Sequence, residues 1–177
     1  MLLPRSPETY RSIVGLRTVR AFRQDPLLDD DLVAILEAGR WTGSSKNRQT
    51  WCFIVVRDPV QIDRLAKCGD FTQPIRECAA VVAPVAFPDL AHWDLGRVAQ
   101  NMMLGAAAVG VGTCPVSLQR EAEALEVLGC PPDFYVRTVL ACGYPDESPE
   151  LEGRAAFPIG GRKPLSELVH HDRFTAT

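Results

Sequence analysis

No Cys-x-x-Cys pair occurs in this chain, although it holds six cysteines, and only three histidines are present. Zinc-ligand spacing is therefore missing. Cysteines set in apolar stretches, such as Ala141-Cys142-Gly143, read as small buried hydrophobes kept reduced. No apolar run approaches the roughly 20 residues that span a bilayer. The opening Met1–Glu8 lacks the apolar centre of a secretory signal, so the expected compartment is the cytoplasm. There is no excess of positive charge: the net charge is -3, which argues against a nucleic-acid partner. Glycine-rich nucleotide fingerprints of the Gly-x-Gly-x-x-Gly or P-loop type are absent, as is the Gly-x-Ser-x-Gly elbow of serine hydrolases. Repeats and low-complexity segments are also lacking.

What is present suits one globular domain over residues 1–177 with enough apolar sequence for a real core, 46% of residues being hydrophobic. Ser6-Pro7 opens a short helix through about Val14. Asp29 and Asp30 begin a second, to Trp41, with Leu32, Ile35, Leu36 and Gly39 at helical spacing. Cys52–Val56 and Ala79–Ala86 read as buried strands, and a helix from Pro59 to Lys67 lies between them. The longest helix runs from Asp94 to about Val109, and its small Gly105–Ala108 stretch allows another helix to approach closely. Thr113–Val116 and Tyr135–Cys142 are the remaining strands, with a helix over Glu121–Leu128. A tail around Leu165–Val169 has apolar residues to pack on another surface. The class is α+β, a central sheet covered by helices.

Three polar clusters stand out from this framework. Arg17-Thr18-Val19-Arg20 places two planar, bidentate donors and a hydroxyl within four residues, a set suited to phosphate, though loop arginines are commonly just solvated. Ser44-Ser45-Lys46-Asn47-Arg48-Gln49 lies between a helix and a buried strand. Its side chains could bind hydroxyls or a heterocycle edge, or could cap their own turn. Gly160-Gly161-Arg162-Lys163 permits close approach to an anion, or is a basic tail. Trp41, Phe71 and Trp93 are candidates for lining a substrate pocket, with core packing as the commoner role for such residues.

Taken in order, Arg-Thr-Val-Arg-Ala-Phe, Ala-Gly-Arg-Trp, Ser-Ser-Lys-Asn-x-Gln-x-Trp, Gln100-Asn101, Val109–Pro115, Gly143-Tyr144-Pro145 and Arg162–Leu165 resemble the nitroreductase family. The resemblance extends from about Tyr10 to His170. It implies a mostly antiparallel sheet, a homodimer with FMN at its interface, and ping-pong hydride transfer. NAD(P)H would pass a hydride through flavin N5 to an electron-poor small-molecule acceptor, such as a nitroaromatic or quinone. Position by position it implies that Arg17, Thr18 and Arg20 meet the FMN phosphate or the flavin pyrimidine. Ser44, Ser45, Asn47 and Gln49 would hold the ribityl chain and ring, often from the second subunit. Pro115, Val116 and Ser117 would lie beside the ring with a backbone N–H toward N5, and Arg162, with Lys163 beside it, would meet the phosphate. No side chain is implied as nucleophile or metal ligand. A flavin-dependent dehydrogenase or oxidase of a specific metabolite, or a non-catalytic flavin-binding protein, would share these motifs.

The chain departs from the pattern in places. Leu16 stands at the family's first arginine. Gly43 and Thr50 replace prolines, which should loosen the loop between them. Phe87–Trp93 is too short for the usual pair of lid helices, and Phe71–Pro74 lacks the polar residues that commonly touch the flavin.

Overall fold

Four apolar runs pair into one sheet: β1 (Trp51–Val56), β2 (Ala80–Ala86), β3 (Gly112–Ser117) and β4 (Thr138–Gly143). The computed structural model describes residues 6–88, 92–149 and 161–174. The strand order is β1-β2-β4-β3, and each neighbouring pair is antiparallel. β1 and β3 are therefore the two edges. Residues of β2 are buried throughout, as expected of a central strand with both faces covered.

Alternation along the strands divides the core in two. Val81, Ala83, Val85, Val139, Ala141, Cys114 and Val116 face one layer. Ala80, Val82, Leu140 and Cys142 face the other. The first layer receives α3 (Pro59–Ala66), through Ile62, Leu65 and Ala66, and α6 (Glu121–Leu128), through Ala124 and Leu125. A short α4 (Gln73–Glu77), which the sequence pattern does not announce, adds Ile75. The second layer receives α2 (Asp29–Arg40) through Leu32 and Ile35, and α5 (His92–Ala108) through Val98, Met102 and Ala106.

The small stretch of α5 has the role its composition implies. A Cβ on Gly105 would stand 2.6 Å from that of Ala38, so α2 and α5 touch backbone to backbone there. That contact holds the last turn of α2 against α5, next to the start of the polar loop before β1. The fourth strand starts at Thr138 rather than Tyr135, because Tyr135 instead bridges to Ala86 at the end of β2. α1 (Pro7–Gly15) is capped by Ser6, whose Oγ accepts from Thr9 N at 3.2 Å, but it buries none of its own residues. Among the described residues no helix is long and apolar enough to cross a membrane.

Candidate functional site

The basic segment lies on the outer edge of β3. Val19 donates its N–H to the Thr113 carbonyl at 2.9 Å, and its side chain packs on Gly112, where any Cβ would meet it at 2.8 Å. Arg17 turns Nη1 back onto the end of α1, donating to Val14 O at 2.8 Å and Leu16 O at 2.9 Å. This satisfies carbonyls that the helix itself leaves open. Thr18 is half-buried and Arg20 exposed. A groove of about 940 Å³ adjoins the segment, lined by Ile13, Leu16 and Arg17 on one side and Leu104, Ala107 and Val111 on the other.

The same edge settles which part of Pro115–Ser117 is accessible. In an antiparallel pair, alternate residues turn their backbone groups toward and away from the partner strand. Thr113 turns its carbonyl outward to Val19, so Pro115 and Ser117 are outward-facing as well, and Leu118 returns inward to donate to Arg137 O at 2.7 Å. Proline has no N–H, which leaves that of Ser117 as the donor pointing away from β4 in this run. Val116 is buried in the layer of α3 and α6, so its side chain does not reach this edge.

A loop that sequence reasoning left without a role is fastened beside Ser117. Asp70 N donates to Gln119 Oε1 at 2.9 Å, and Arg120 bridges to Asp70 Oδ1 at 2.8 Å and to Lys67 O at 2.8 Å. Gly69 comes so close that an added Cβ would stand 2.9 Å from the Ser117 carbonyl. The latch holds Phe71 in solvent, 85% exposed. Trp41 and Trp93 are exposed too, so all three depart from the core role usual for aromatic side chains.

The polar loop sits elsewhere and is strained. Lys46, Asn47 and Gln49 have φ of 53°, 54° and 48°, a left-handed region that bulky L-residues rarely adopt. Several bonds hold it. Ser44 Oγ accepts from Gln49 N at 2.9 Å, and Gln49 Nε2 donates to Asn47 Oδ1 at 3.1 Å. Asn101 of α5 donates to Thr42 Oγ1 at 2.8 Å, and Arg97 donates to Gly43 O at 2.7 Å. Thr50 accepts from Phe87 N at 3.1 Å. The expected loosening at Gly43 and Thr50 is therefore not found: α5 holds one flank and the end of β2 the other. Arg97 was missed from sequence, although it stands four residues before Asn101 and thus on the same helical face.

The structure brings Arg17–Arg20 to β3 together with Pro115–Ser117 but not to the loop at 44–49. Trp51, which follows that loop, pairs with Ala86 at the far end of β2, whereas Thr113 aligns through Cys142 with Ala80 at the near end. The two clusters thus occupy opposite corners of the sheet, roughly 14 Å apart across the strands and roughly 20 Å along them. Arg162 and Lys163 are exposed on the tail, while Gly160 lies outside the described residues.

A four-stranded antiparallel sheet between two helical layers, with polar groups gathered on an edge strand and on a strained loop, defines an α+β protein. The family model described as the nitroreductase family matches residues 13–69 and 73–144, and the chain belongs to that family. It is 25% identical over 186 residues to an NADPH-flavin oxidoreductase of Vibrio harveyi, covering 94% of this chain and 74% of the relative. The solved NADPH:FMN oxidoreductase of Vibrio harveyi complexed with NAD+ superposes with a TM-score of 0.82 at 23% identity, covering 96% of this chain and 79% of that one. An FMN-dependent nitroreductase of Clostridium difficile R20291 does so with a TM-score of 0.77 at 21% identity, covering 93% and 99%. At these identities the two structures establish the fold.

Proposed function

We propose that residues 1–177 form one FMN-binding domain that works as a homodimer, an FMN-dependent NAD(P)H oxidoreductase. The observation that carries this reading is the opposite placement of the two polar clusters. A ligand held by Arg17, Thr18 and Arg20 cannot also touch Ser44, Ser45, Asn47 and Gln49 of the same chain, whereas a second copy can bring its loop to the first copy's β3 edge. Two further features support a second copy. α1 leaves Tyr10, Ile13 and Val14 exposed beside the groove, and the tail leaves Leu165, Leu168 and Phe174 exposed. Such apolar surface calls for a partner.

The residues at the β3 edge fit FMN. Cations and a hydroxyl stand near Thr113 for a phosphate or a pyrimidine oxygen, and the outward N–H of Ser117 lies about four residues, roughly 14 Å, further along the strand. Phe71 and the groove wall offer apolar surface to a ring system. When bound, FMN would supply the redox chemistry that links NAD(P)H to an acceptor such as a nitroaromatic or quinone. The chain's own part is to bind, orient and bias. Arg20 and Arg162 contribute positive charge, Ser117 donates from a backbone fixed by β4, and the 44–49 loop supplies hydroxyls and amides already locked in place.

Steady-state oxidation of NADPH with a nitroaromatic acceptor tests the activity. Turnover that requires added or retained FMN supports the reading. Bound flavin that neither NADH nor NADPH reduces removes the reductase and favours dehydrogenation of a specific metabolite.

A further inference from the structure

Two cations in the strained loop have no role in holding it. Lys46 and Arg48 are exposed and make no ion pair or side-chain hydrogen bond among the described residues. Their charged neighbours are matched: Arg40 pairs with Glu37 at 2.7 Å, and Arg97 lies 3.4 Å from Asp94. The loop therefore carries uncompensated positive charge in a chain whose net charge is -3. Its backbone is also committed. A left-handed lysine, here with φ 53°, is strained, and lysine lacks the short side chain with which asparagine offsets that strain. Bonds to α5 and β2 fix the loop on both flanks, so the two cations are displayed from a rigid base rather than trailing from a flexible one.

We propose that Lys46 and Arg48 select the molecule that exchanges electrons with the flavin, favouring one that carries an anionic group. This rests on the proposed function, in which the loop is carried to the partner's flavin edge. There Ser44, Ser45, Asn47 and Gln49 face the cofactor, and the two cations between them extend beyond it toward arriving substrate. The FMN phosphate is not their target, because on that reading Arg20 and Arg162 serve it. The group recognised is a phosphate or carboxylate, whether the 2′-phosphate of NADPH or the carboxylate of an acceptor. Rim charges of this kind act chiefly by steering association, so the preference weakens with salt.

The test compares the FMN-loaded wild type with Lys46→Gln/Arg48→Gln, using NADPH against NADH and 4-nitrobenzoate against 4-nitrobenzamide. In the wild type the member with the extra anionic group, NADPH or 4-nitrobenzoate, has the higher kcat/KM in at least one pair, by about five- to tenfold at low salt, and the advantage shrinks as salt rises. The double variant loses that advantage while FMN affinity and turnover of NADH and 4-nitrobenzamide, which lack the extra anionic group, stay unchanged. Lys46→Arg/Arg48→Lys retains it. The pair in which the ratio collapses identifies donor or acceptor as the source of the anion. Ratios that are equal in wild type and variant overturn the inference alone, as does a variant whose main loss is in FMN affinity. A wild-type protein that takes up no FMN overturns the oxidoreductase reading and this inference with it.

Discussion

Arg97 donates to the Gly43 carbonyl at 2.7 Å, and this bond, with that from Asn101 to Thr42, fastens the 43–49 loop to α5. The loop's geometry is thus set by a helix that packs in the core, although its sequence reads as a free turn. On the proposed function, Arg97→Ala and Asn101→Ala weaken FMN binding by roughly tenfold each without contacting the cofactor. Thr42 is buried, so Asn101→Ala also strands a hydroxyl and lowers stability by about 1–3 kcal/mol. FMN titration followed by denaturant unfolding reads both effects.

Arg20→Ala together with Arg162→Ala removes two cations assigned to the cofactor. The expected loss of FMN affinity is about a hundredfold or more, since charge-assisted hydrogen bonds contribute about 1.5–3 kcal/mol each. Unchanged affinity in that variant refutes the assignment.

Gly69→Ala presses a methyl group against the Ser117 carbonyl and against Thr72 Cγ2 at 2.7 Å. Overpacking of this kind destabilises by about 1–3 kcal/mol. On the proposed function the displaced atom belongs to the residue whose N–H faces the flavin, so FMN affinity should fall as well. Gly129→Ala, remote from the β3 edge and strained by its φ of 69°, destabilises without a specific loss of FMN binding. The two variants are compared by thermal unfolding and by FMN titration.

The six cysteines are free, and burial raises the thiols of Cys52, Cys68, Cys78, Cys130 and Cys142 above their ordinary value, Cys78 to about 11. Little thiolate is present at neutral pH. Folded protein should react slowly with a disulfide reagent near pH 7.5, and denatured protein should expose six thiols promptly. Rapid reaction of the native protein contradicts the buried, inert reading.

Tyr144 donates to Asp31 Oδ2 at 2.6 Å, and this bond to a carboxylate holds the phenol above its ordinary pKa. The folded state therefore favours the protonated phenol. Its contribution is complete below the unfolded value near pH 10 and is lost as pH rises through the folded value. Stability of the wild type should fall above about pH 10 more steeply than that of Tyr144→Phe, as denaturant midpoints measured on either side of that pH will show.

Much of the fold is legible in the sequence because it follows from periodicity. The apolar runs at 52–56 and 79–86 are strands, and Val98, Met102 and Ala106 define the buried side of α5. What escapes sequence reasoning depends on contacts made across distance. Asp70 meets Gln119 and Arg120 only because β3 ends where the loop after α3 begins, and no local pattern records that. α4 has five residues and gives too short a run for a period to show. Phe71, Trp41 and Trp93 are assigned by composition to a core that they do not join. The polar loop is conspicuous as a sequence, yet its separation from Arg17–Arg20 becomes evident only from the strand order.

That separation makes the central claim testable by complementation. Arg20→Ala/Arg162→Ala chains carry a damaged β3 edge and tail, and Ser44→Ala/Gln49→Ala chains carry a damaged loop. Each variant alone should bind little FMN. Co-expressed in equal amount, half of the dimers are mixed, and each mixed dimer has one site with an intact edge, tail and loop if the loop comes from the partner. FMN content measured from the visible flavin absorption of the purified mixture should then recover to roughly a quarter of the wild-type value. A mixture that binds no more FMN than its two components contradicts the shared site.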